Sequence, residues 1–503
     1  MNLSNGIWNL ITFLAGLLLT LSFAPFDHAY LAIISLVALF LSWQAATSPK
    51  QAALRGYIYG LGLFGLGVTW VFVSIYFYGG ASFFASASMA FLFAAFWALF
   101  PALTAYISVK VAFLTDKRWL LWITPFVWVL IEYVRGFWLL NGFPWFQISY
   151  SQLDTAYAGF VPLFGAYGTS FLVLMTASLV AYMLSMKQRL IFSSATISLI
   201  LITGYALKHV EWTEAIGKPI KITLAQGNVS QDQKWRPENL IKTLLSYQQM
   251  TYSHWDSDVI IWPETAIPSY LHRIDEHFLK PLAAEARLNN TDLIVSLPSK
   301  SADGKQSYNT VLTLGTERGI YHKNHLLPFG EYLPWQPVSG WVLDLIGVHL
   351  GSFTAGGDNQ ALLKAGGYFF GTSICYEDAF ASESLRAMPD AAYLVNVTND
   401  GWFGNTLEPH QHMQIARMRA LETGRYLARA TNTGLTAFVA PNGKIIKQAP
   451  LFETSTITEN ILPMGGMTIY ARLGDGVIIC FLAFLFLGLL VFIVFKRDKN
   501  ITA

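Results

Sequence analysis

The run GVIICFLAFLFLGLLVFIVF (476–495) contains no charged residue and is long enough to cross a bilayer, which takes roughly 20 residues of helix. Before residue 208 charges are also rare, whereas the stretch from there to about Arg472 has the composition of a water-soluble domain. A fold for this chain therefore has to keep two apolar blocks in lipid and the polar block between them in water. The whole-chain values agree: 13% of residues are charged and the mean hydropathy is +0.42, against about 25% charged in soluble domains. A net charge of +2 is too small to make nucleic acid an expected partner.

Seven spans fit the first block, near 7–25, 29–46, 55–77, 82–112, 119–138, 157–185 and 190–208, and an eighth lies near 474–495. The first run has no basic segment before it and is followed directly by further apolar runs, so it reads as a span and not as a cleaved signal. Lys50 and Arg55, then Lys110, Lys117 and Arg118, then Lys187 and Arg189, and finally Lys496, Arg497 and Lys499 fall in alternate loops. The positive-inside rule puts those loops and both termini in the cytoplasm. The polar block then faces outward, which in a bacterium with two membranes is the periplasm. The expected division is a transmembrane domain at 1–210, a soluble domain at 220–465 and a last helix at 474–495.

Within the membrane part, the glycines of span three (Gly56, Gly60, Gly62, Gly65 and Gly67) predict close helix packing. Glu132 and Arg135 are spaced to pair on one helix face, as a structural pair or as part of a lipid head-group site. The aromatic loop NGFPWFQISYSQ (141–152) reads as interfacial, with Trp145 as an anchor.

Residues 220–465 alternate short β-rich runs with helical stretches, as an α/β layered domain does. Strands are expected at 221–228, 258–264, 292–299, 309–315, 368–375 and 391–400, several of them continuously apolar as in sheets buried on both faces. A helix is expected over 410–430. A hairpin is expected over 435–449, turning at Pro441-Asn442-Gly443.

Three of the strand ends carry reactive groups. Glu264 follows IIWP, where Pro263 ends sheet pairing. Lys323 follows GIYHKNH's β-rich start, and Cys375 closes YFFGTSIC. The chain has only one other cysteine, Cys480, inside the last apolar run, so Cys375 is expected to be a free thiol. A thiol with an ordinary pKa near 8.5 needs a base to become a nucleophile. A desolvated Glu264 can take its proton, and Lys323 can favour the thiolate and hold a developing oxyanion. Glu331 is a second carboxylate that can orient Lys323. Glu408, His410 and His412 form a short cluster, but the i,i+2 spacing of the two histidines splits them across a helix and no further ligand completes a zinc site. No metal is expected.

These stretches carry a family signature. WPET (262–265), HKNHLLPFGEYLP (322–334) and SICYED (373–378) closely resemble the Glu, Lys and Cys motifs of the nitrilase superfamily, whose fold is an αββα sandwich. The flanking spans, GFPW (142–145), QGN (226–228), NDGWFG (399–404) and RMRALETGRYLARATNTG (417–434) resemble its membrane-embedded branch, the apolipoprotein N-acyltransferases. The resemblance implies Glu264 as general base, Lys323 as oxyanion stabiliser and Cys375 as nucleophile. Glu331, Trp235, Tyr376 and Glu377 match supporting or substrate-binding positions.

It further implies a cofactor-free, ping-pong acyl transfer. The donor is a membrane phospholipid such as phosphatidylethanolamine, and the acceptor is the N-terminal amine of a diacylglyceryl apolipoprotein. Nothing in the sequence points to an oligomer, so a monomer is the default. Two other readings stay open: a membrane-tethered amidase that uses water as acceptor, and a transporter or receptor whose outer domain binds a ligand.

Overall fold

A computed structural model describes residues 3–186, 190–335, 340 and 352–501. Lys187 and Arg189, which contributed to the orientation expected above, lie outside the described residues. The chain divides into two compact units. The first comprises residues 1–72, 83–210 and 473–503, and the second comprises 73–82 and 211–472.

The first unit is helical. Among the described residues, five helices are long and apolar enough to cross a membrane: Phe83–Leu114, Lys117–Asn141, Ala156–Ser185, Leu190–Leu207 and Ile469–Lys496. The expected span at 55–77 is not one straight helix. Pro49–Gly67 and Trp70–Tyr78 meet at 50°, and counting that bent pair as one span makes six. The apolar helices Asn5–Thr20 and Tyr30–Gln44 are shorter. The glycine stripe packs tightly, as expected: a Cβ on Gly60 would lie 2.6 Å from Ala98 Cα. Gly65 is the exception, with open space beside it.

Two readings of this unit need correcting. Arg55 is not a loop charge; it is buried in the helix Pro49–Gly67 and donates to the Ser42 carbonyl and, at 3.1 Å, to Asn5 Oδ1. Trp145 is not an interfacial anchor. It is buried and stacks on Phe143 with ring centres 5.8 Å apart. Its carbonyl accepts a hydrogen bond from Arg135, whose guanidinium also holds the Phe143 carbonyl at 3.1 Å and approaches Glu132 to 3.9 Å. The buried Glu132–Arg135 pair therefore pulls the 141–152 loop inward, because a buried cation needs acceptors and the loop carbonyls supply them.

Among the described residues, the second unit is built on two six-stranded sheets. In chain order its strands are β1 Glu214–Ala215, β2 Ile220–Gln226, β3 Val259–Ile261, β4 Asp292–Lys300, β5 Ser307–Leu314, β6 Ile320–His322, β7 Leu363–Ala365, β8 Tyr368–Ile374, β9 Tyr393–Thr398, β10 Leu427–Thr431, β11 Ala437–Val439, β12 Ile445–Gln448, β13 Ser455–Ile461 and β14 Met464–Gly465. One sheet runs β13-β2-β3-β4-β5-β6, the other β12-β11-β10-β9-β8-β7, and β1 pairs with β14. In each sheet three central strands are parallel, β2-β3-β4 and β8-β9-β10, and the outer pairings are antiparallel.

Strand alternation explains the unbroken apolar runs. Val259 and Ile261 of β3 join Val395 and Val397 of β9 in one core cluster shared by both sheets. Ile260, one residue out of phase, packs instead with Leu282 and Ala286 of the helix Lys280–Leu288. Leu394 likewise turns away from the shared core toward Met413 and Ala416 of the helix Glu408–Thr423.

That helix corrects the expectation of a helix over 410–430. It stops at Thr423, where Gly424 takes the left-handed conformation (φ 65°) that residues with a Cβ avoid, and LARAT then forms β10. The hairpin forms as expected: β11 pairs antiparallel with β12, and the Gly443 N–H closes its turn on the Ala440 carbonyl at 2.8 Å.

Candidate active site

Three loops leave the sheets and bring the reactive groups together. β3 ends at Ile261; Trp262 N–H still reaches the Ile294 carbonyl at 2.8 Å, and Pro263 then breaks the ladder. Glu264 follows and is buried. Lys323 comes directly after β6, is 1% exposed, and its N–H bonds the Asn309 carbonyl of β5 at 2.8 Å. Cys375 comes directly after β8, at the start of a short turn Cys375–Ala379. Its φ of 52° is left-handed, a strained conformation for a residue with a Cβ, and it keeps part of its surface open while packing against the shared core.

Asn309 and Glu331 link the first two groups. One amide nitrogen, Asn309 Nδ2, donates to Glu264 Oε1 at 2.7 Å and to Glu331 Oε1 at 3.1 Å. Glu331 Oε2 in turn holds Lys323 Nζ at 2.8 Å and accepts the Leu327 N–H at 2.9 Å. The result is a buried chain, Glu264–Asn309–Glu331–Lys323, whose spacing is fixed by short bonds.

Glu377 links the third. Its Oε2 accepts the Ile374 N–H at 2.7 Å, at the root of the cysteine turn. Its Oε1 accepts from Asn324 N–H at 2.6 Å and His325 N–H at 3.0 Å on the lysine loop, and from Tyr321 Oη of β6 at 2.9 Å. Glu377 thus fastens the Cys375 turn to the Lys323 loop. Tyr376 forms part of the wall, buried with its ring 5.1 Å from Phe380 and 6.1 Å from His325. Trp235 is half-exposed at the end of the short helix Gln231–Lys234; its neighbour Lys234 is the group that turns into the buried cluster.

The electrostatics follow from this packing. Burial raises the Glu264 carboxyl above its ordinary value and Glu331 adds to the rise, while Lys323, Asn309 and Lys234 oppose it. Burial works against the charge on Lys323, but Glu331, Cys375, Glu264 and Glu377 outweigh it and raise the lysine, so it stays an ammonium. The Cys375 thiol is pushed up by burial and by Glu264, with Lys323 pulling it back. The resting state is therefore a thiol beside a fixed cation and a carboxyl with raised proton affinity, the charge states a base-assisted thiol attack requires. Glu377 is pushed up to about 8, first by burial and then by Glu383, against Lys323 and its backbone donors.

Behind the cysteine lies a group of charges that the sequence did not reveal. His412 Nε2 lies 2.7 Å from Asp378 Oδ1 and 3.3 Å from the Cys375 carbonyl, and its Nδ1 lies 2.9 Å from Asp400 Oδ1. Arg429 joins both carboxylates, at 2.7 Å to Asp378 and 3.3 Å to Asp400. Burial and Arg429 oppose a charge on His412, but Asp378 and Asp400 prevail and hold it at about 10, an imidazolium. Asp400, Glu408 and His412 offer ligand atoms within 4.8 Å of one another. In this structure both His412 nitrogens face carboxylates, and Arg429 bridges Asp378 and Asp400. The network supports the backbone of the cysteine turn.

The comparisons agree with this architecture. The family model for the apolipoprotein N-acyltransferase N-terminal domain matches residues 15–179, and that for carbon-nitrogen hydrolase matches 221–464. An apolipoprotein N-acyltransferase of Methylococcus capsulatus is 48% identical over 468 residues, covering 93% of this chain and 92% of the relative. This chain belongs to the apolipoprotein N-acyltransferase family. Relatives of the same name from Nitrosomonas europaea and Coxiella burnetii are 38% and 35% identical over 96% and 95% of the chain, covering 97% and 100% of their own lengths. As a member of the apolipoprotein N-acyltransferases, the chain is a multi-pass membrane acyltransferase with a nitrilase-like α/β domain.

Proposed function

We propose that this enzyme transfers an acyl chain from a membrane phospholipid, through a thioester on Cys375, to the N-terminal α-amine of diacylglyceryl-cysteine on apolipoproteins. The observation that carries the reading is the buried chain Glu264–Asn309–Glu331–Lys323, with both end charges acting on the Cys375 thiol.

In the first half-reaction Glu264 takes the Cys375 proton as sulfur attacks the sn-1 ester carbonyl carbon. The oxyanion forms beside Lys323, whose remaining N–H groups are its donors. When the C–O bond breaks, Glu264 returns the proton to the glycerol oxygen and lysophospholipid leaves. In the second half-reaction the acceptor amine attacks the thioester, the C–S bond breaks, an amide forms and Cys375 recovers its proton. Phosphatidylethanolamine is the proposed donor. Both substrates and the enzyme are held in one bilayer, so encounter is two-dimensional and the reacting groups arrive oriented.

The same reading takes 220–465 as an αββα sandwich, supported by a core shared between the sheets and helices packed on each outer face. It takes 1–210 as seven spans and 474–495 as an eighth, in the inner membrane, with the catalytic domain periplasmic and both termini cytoplasmic. The basic residues Lys50, Lys110, Lys117, Arg118 and Lys496, at or near helix ends, support that orientation.

The test is an acceptor assay on the full chain, with defined diacyl phospholipid and a diacylated lipopeptide. Triacylated amide product supports the reading. Free fatty acid with no amide makes the enzyme an amidase-type hydrolase instead. Full function in Cys375→Ala would favour a binding or transport role.

A further inference from the structure

The chain Glu264–Asn309–Glu331–Lys323 fixes the ammonium end of Lys323. Its main-chain end is held by a different segment, 352–360. β6 is three residues long and, among the described residues, pairs with β5 alone. The Lys323 N–H points inward, to the Asn309 carbonyl of β5 at 2.8 Å. Successive residues of a strand alternate in the direction of their hydrogen bonds. The N–H and carbonyl of His322 therefore point outward, along an edge where no strand supplies partners.

Gln360 supplies both. Its Oε1 accepts the His322 N–H at 2.7 Å, and its Nε2 donates to the His322 carbonyl at 2.7 Å and to the Gly357 carbonyl at 3.1 Å. A side-chain amide offers a donor and an acceptor as a peptide group does, so Gln360 stands in for one residue of a neighbouring strand.

The backbone of the same segment also grips the site. Gly356 N–H donates to the Lys323 carbonyl at 2.9 Å, and Phe353 N–H donates to the Glu331 carbonyl at 2.8 Å. The approach is too close for a side chain: a Cβ on Gly356 would lie 2.6 Å from both Gln360 Nε2 and His322 Cβ. A second anchor is Asp358, which accepts from Asn324 Nδ2 at 3.1 Å and pairs with Arg386 at 2.7 Å. The Asp358 side chain is 71% exposed, and exposed ion pairs contribute little. The firmer clamp is the Gln360 amide on His322.

Resting on the acyl-transfer reading above, we propose that Gln360 is a positioning residue for Lys323: by capping the open edge of β6 at His322 it fixes the root of the lysine side chain, and with it the place where the ammonium meets the oxyanion. The two ends of Lys323 have separate restraints. Glu331 directs Nζ, while Gln360 and Gly356 fix the main chain from which the stem starts. Without the cap, an unpaired donor and acceptor on a part-buried edge draw the strand toward water, and Nζ moves with it. A displacement of about 1 Å is enough to cost about 100-fold in rate. The oxyanion forms only as sulfur attacks, so the loss falls on the chemical step and not on lipid binding.

The test follows thioester formation on the full-length protein by intact mass, with a defined diacyl phospholipid at several concentrations. Gln360→Leu removes both bonds. Its loading rate at saturating lipid should fall about 100-fold, with the half-saturating lipid concentration unchanged. Gln360→Glu keeps size and shape. Ionised, it has no donor for the His322 carbonyl; protonated, it again presents a donor and an acceptor. Its loading rate, divided by that of wild type at the same pH, should therefore rise as pH falls from about 8 to about 5, toward the ordinary glutamate pKa of about 4.3. Gln360→Leu loading at the wild-type saturating rate, or with a defect in half-saturation alone, overturns the proposal. If Gln360→Leu does not fold, Gln360→Glu decides: a ratio flat in pH overturns the proposal. A wild-type protein that gains no adduct removes the acyl-transfer reading, and this inference with it. Normal loading by both variants removes this inference alone.

Discussion

Glu377 accepts the backbone N–H of Asn324 at 2.6 Å while its other oxygen accepts the N–H of Ile374. One carboxyl group thus sets the distance between the Cys375 turn and the Lys323 loop, the proposed nucleophile and oxyanion donor. Glu377→Ala should leave these buried donors unpaired, at about 1–3 kcal/mol for each neutral group, and let the two loops drift. Thioester formation should fall at least about 100-fold, with a lowered melting temperature. A variant that loads at the wild-type rate would show that Glu377 does not set the geometry.

In the proposed mechanism Asn309 tunes Glu264, the base. Its hydrogen bond lowers a Glu264 pKa that burial has raised. Glu264 is a base only when ionised, so loading should rise with pH through a pKa above the ordinary carboxyl value. Asn309→Leu removes the bond and should move that acid limb to higher pH. Loading measured against pH in the two proteins checks this; an unmoved limb would assign the titration to another group.

How far the sequence reached is clearest at this site. Glu264, Lys323 and Cys375 were legible because each ends a continuously apolar or β-rich run, a local signal. Asn309 was not: it lies mid-strand in β5, and only the pairing of β5 with β6 brings it between Glu264 and Glu331. Asp378, Asp400, His412 and Arg429 come from four separate segments, so no spacing reveals their contact. Strand β10 was hidden because ETGRYLARA has good helix formers on both sides of Gly424, and its pairing with β9 and β11 overrides that preference.

The His412 network makes stability depend on pH. The imidazole is held at about 10 in the folded protein, against about 6.5 when unfolded. Its contribution is therefore complete below pH 6.5 and is lost as pH rises toward 10. Thermal melts in detergent should show the catalytic unit weakening across that window, and His412→Gln should flatten the slope. A slope unchanged by the substitution would contradict the charge assignment.

Phe329 and Trp335 border the Glu331 loop and are 43% and 62% exposed. If they shield the thioester from water, Phe329→Ser or Trp335→Ser should raise the ratio of free fatty acid to amide product several-fold. An unchanged ratio would remove them from that role.

The most direct test of the account is intact-mass spectrometry of the purified full-length protein after incubation with a defined diacyl phospholipid and no acceptor. The account predicts a gain of one acyl chain, removed by neutral hydroxylamine and absent in Cys375→Ser. Lipid binding without any adduct, or an adduct that persists in Cys375→Ser, would contradict it.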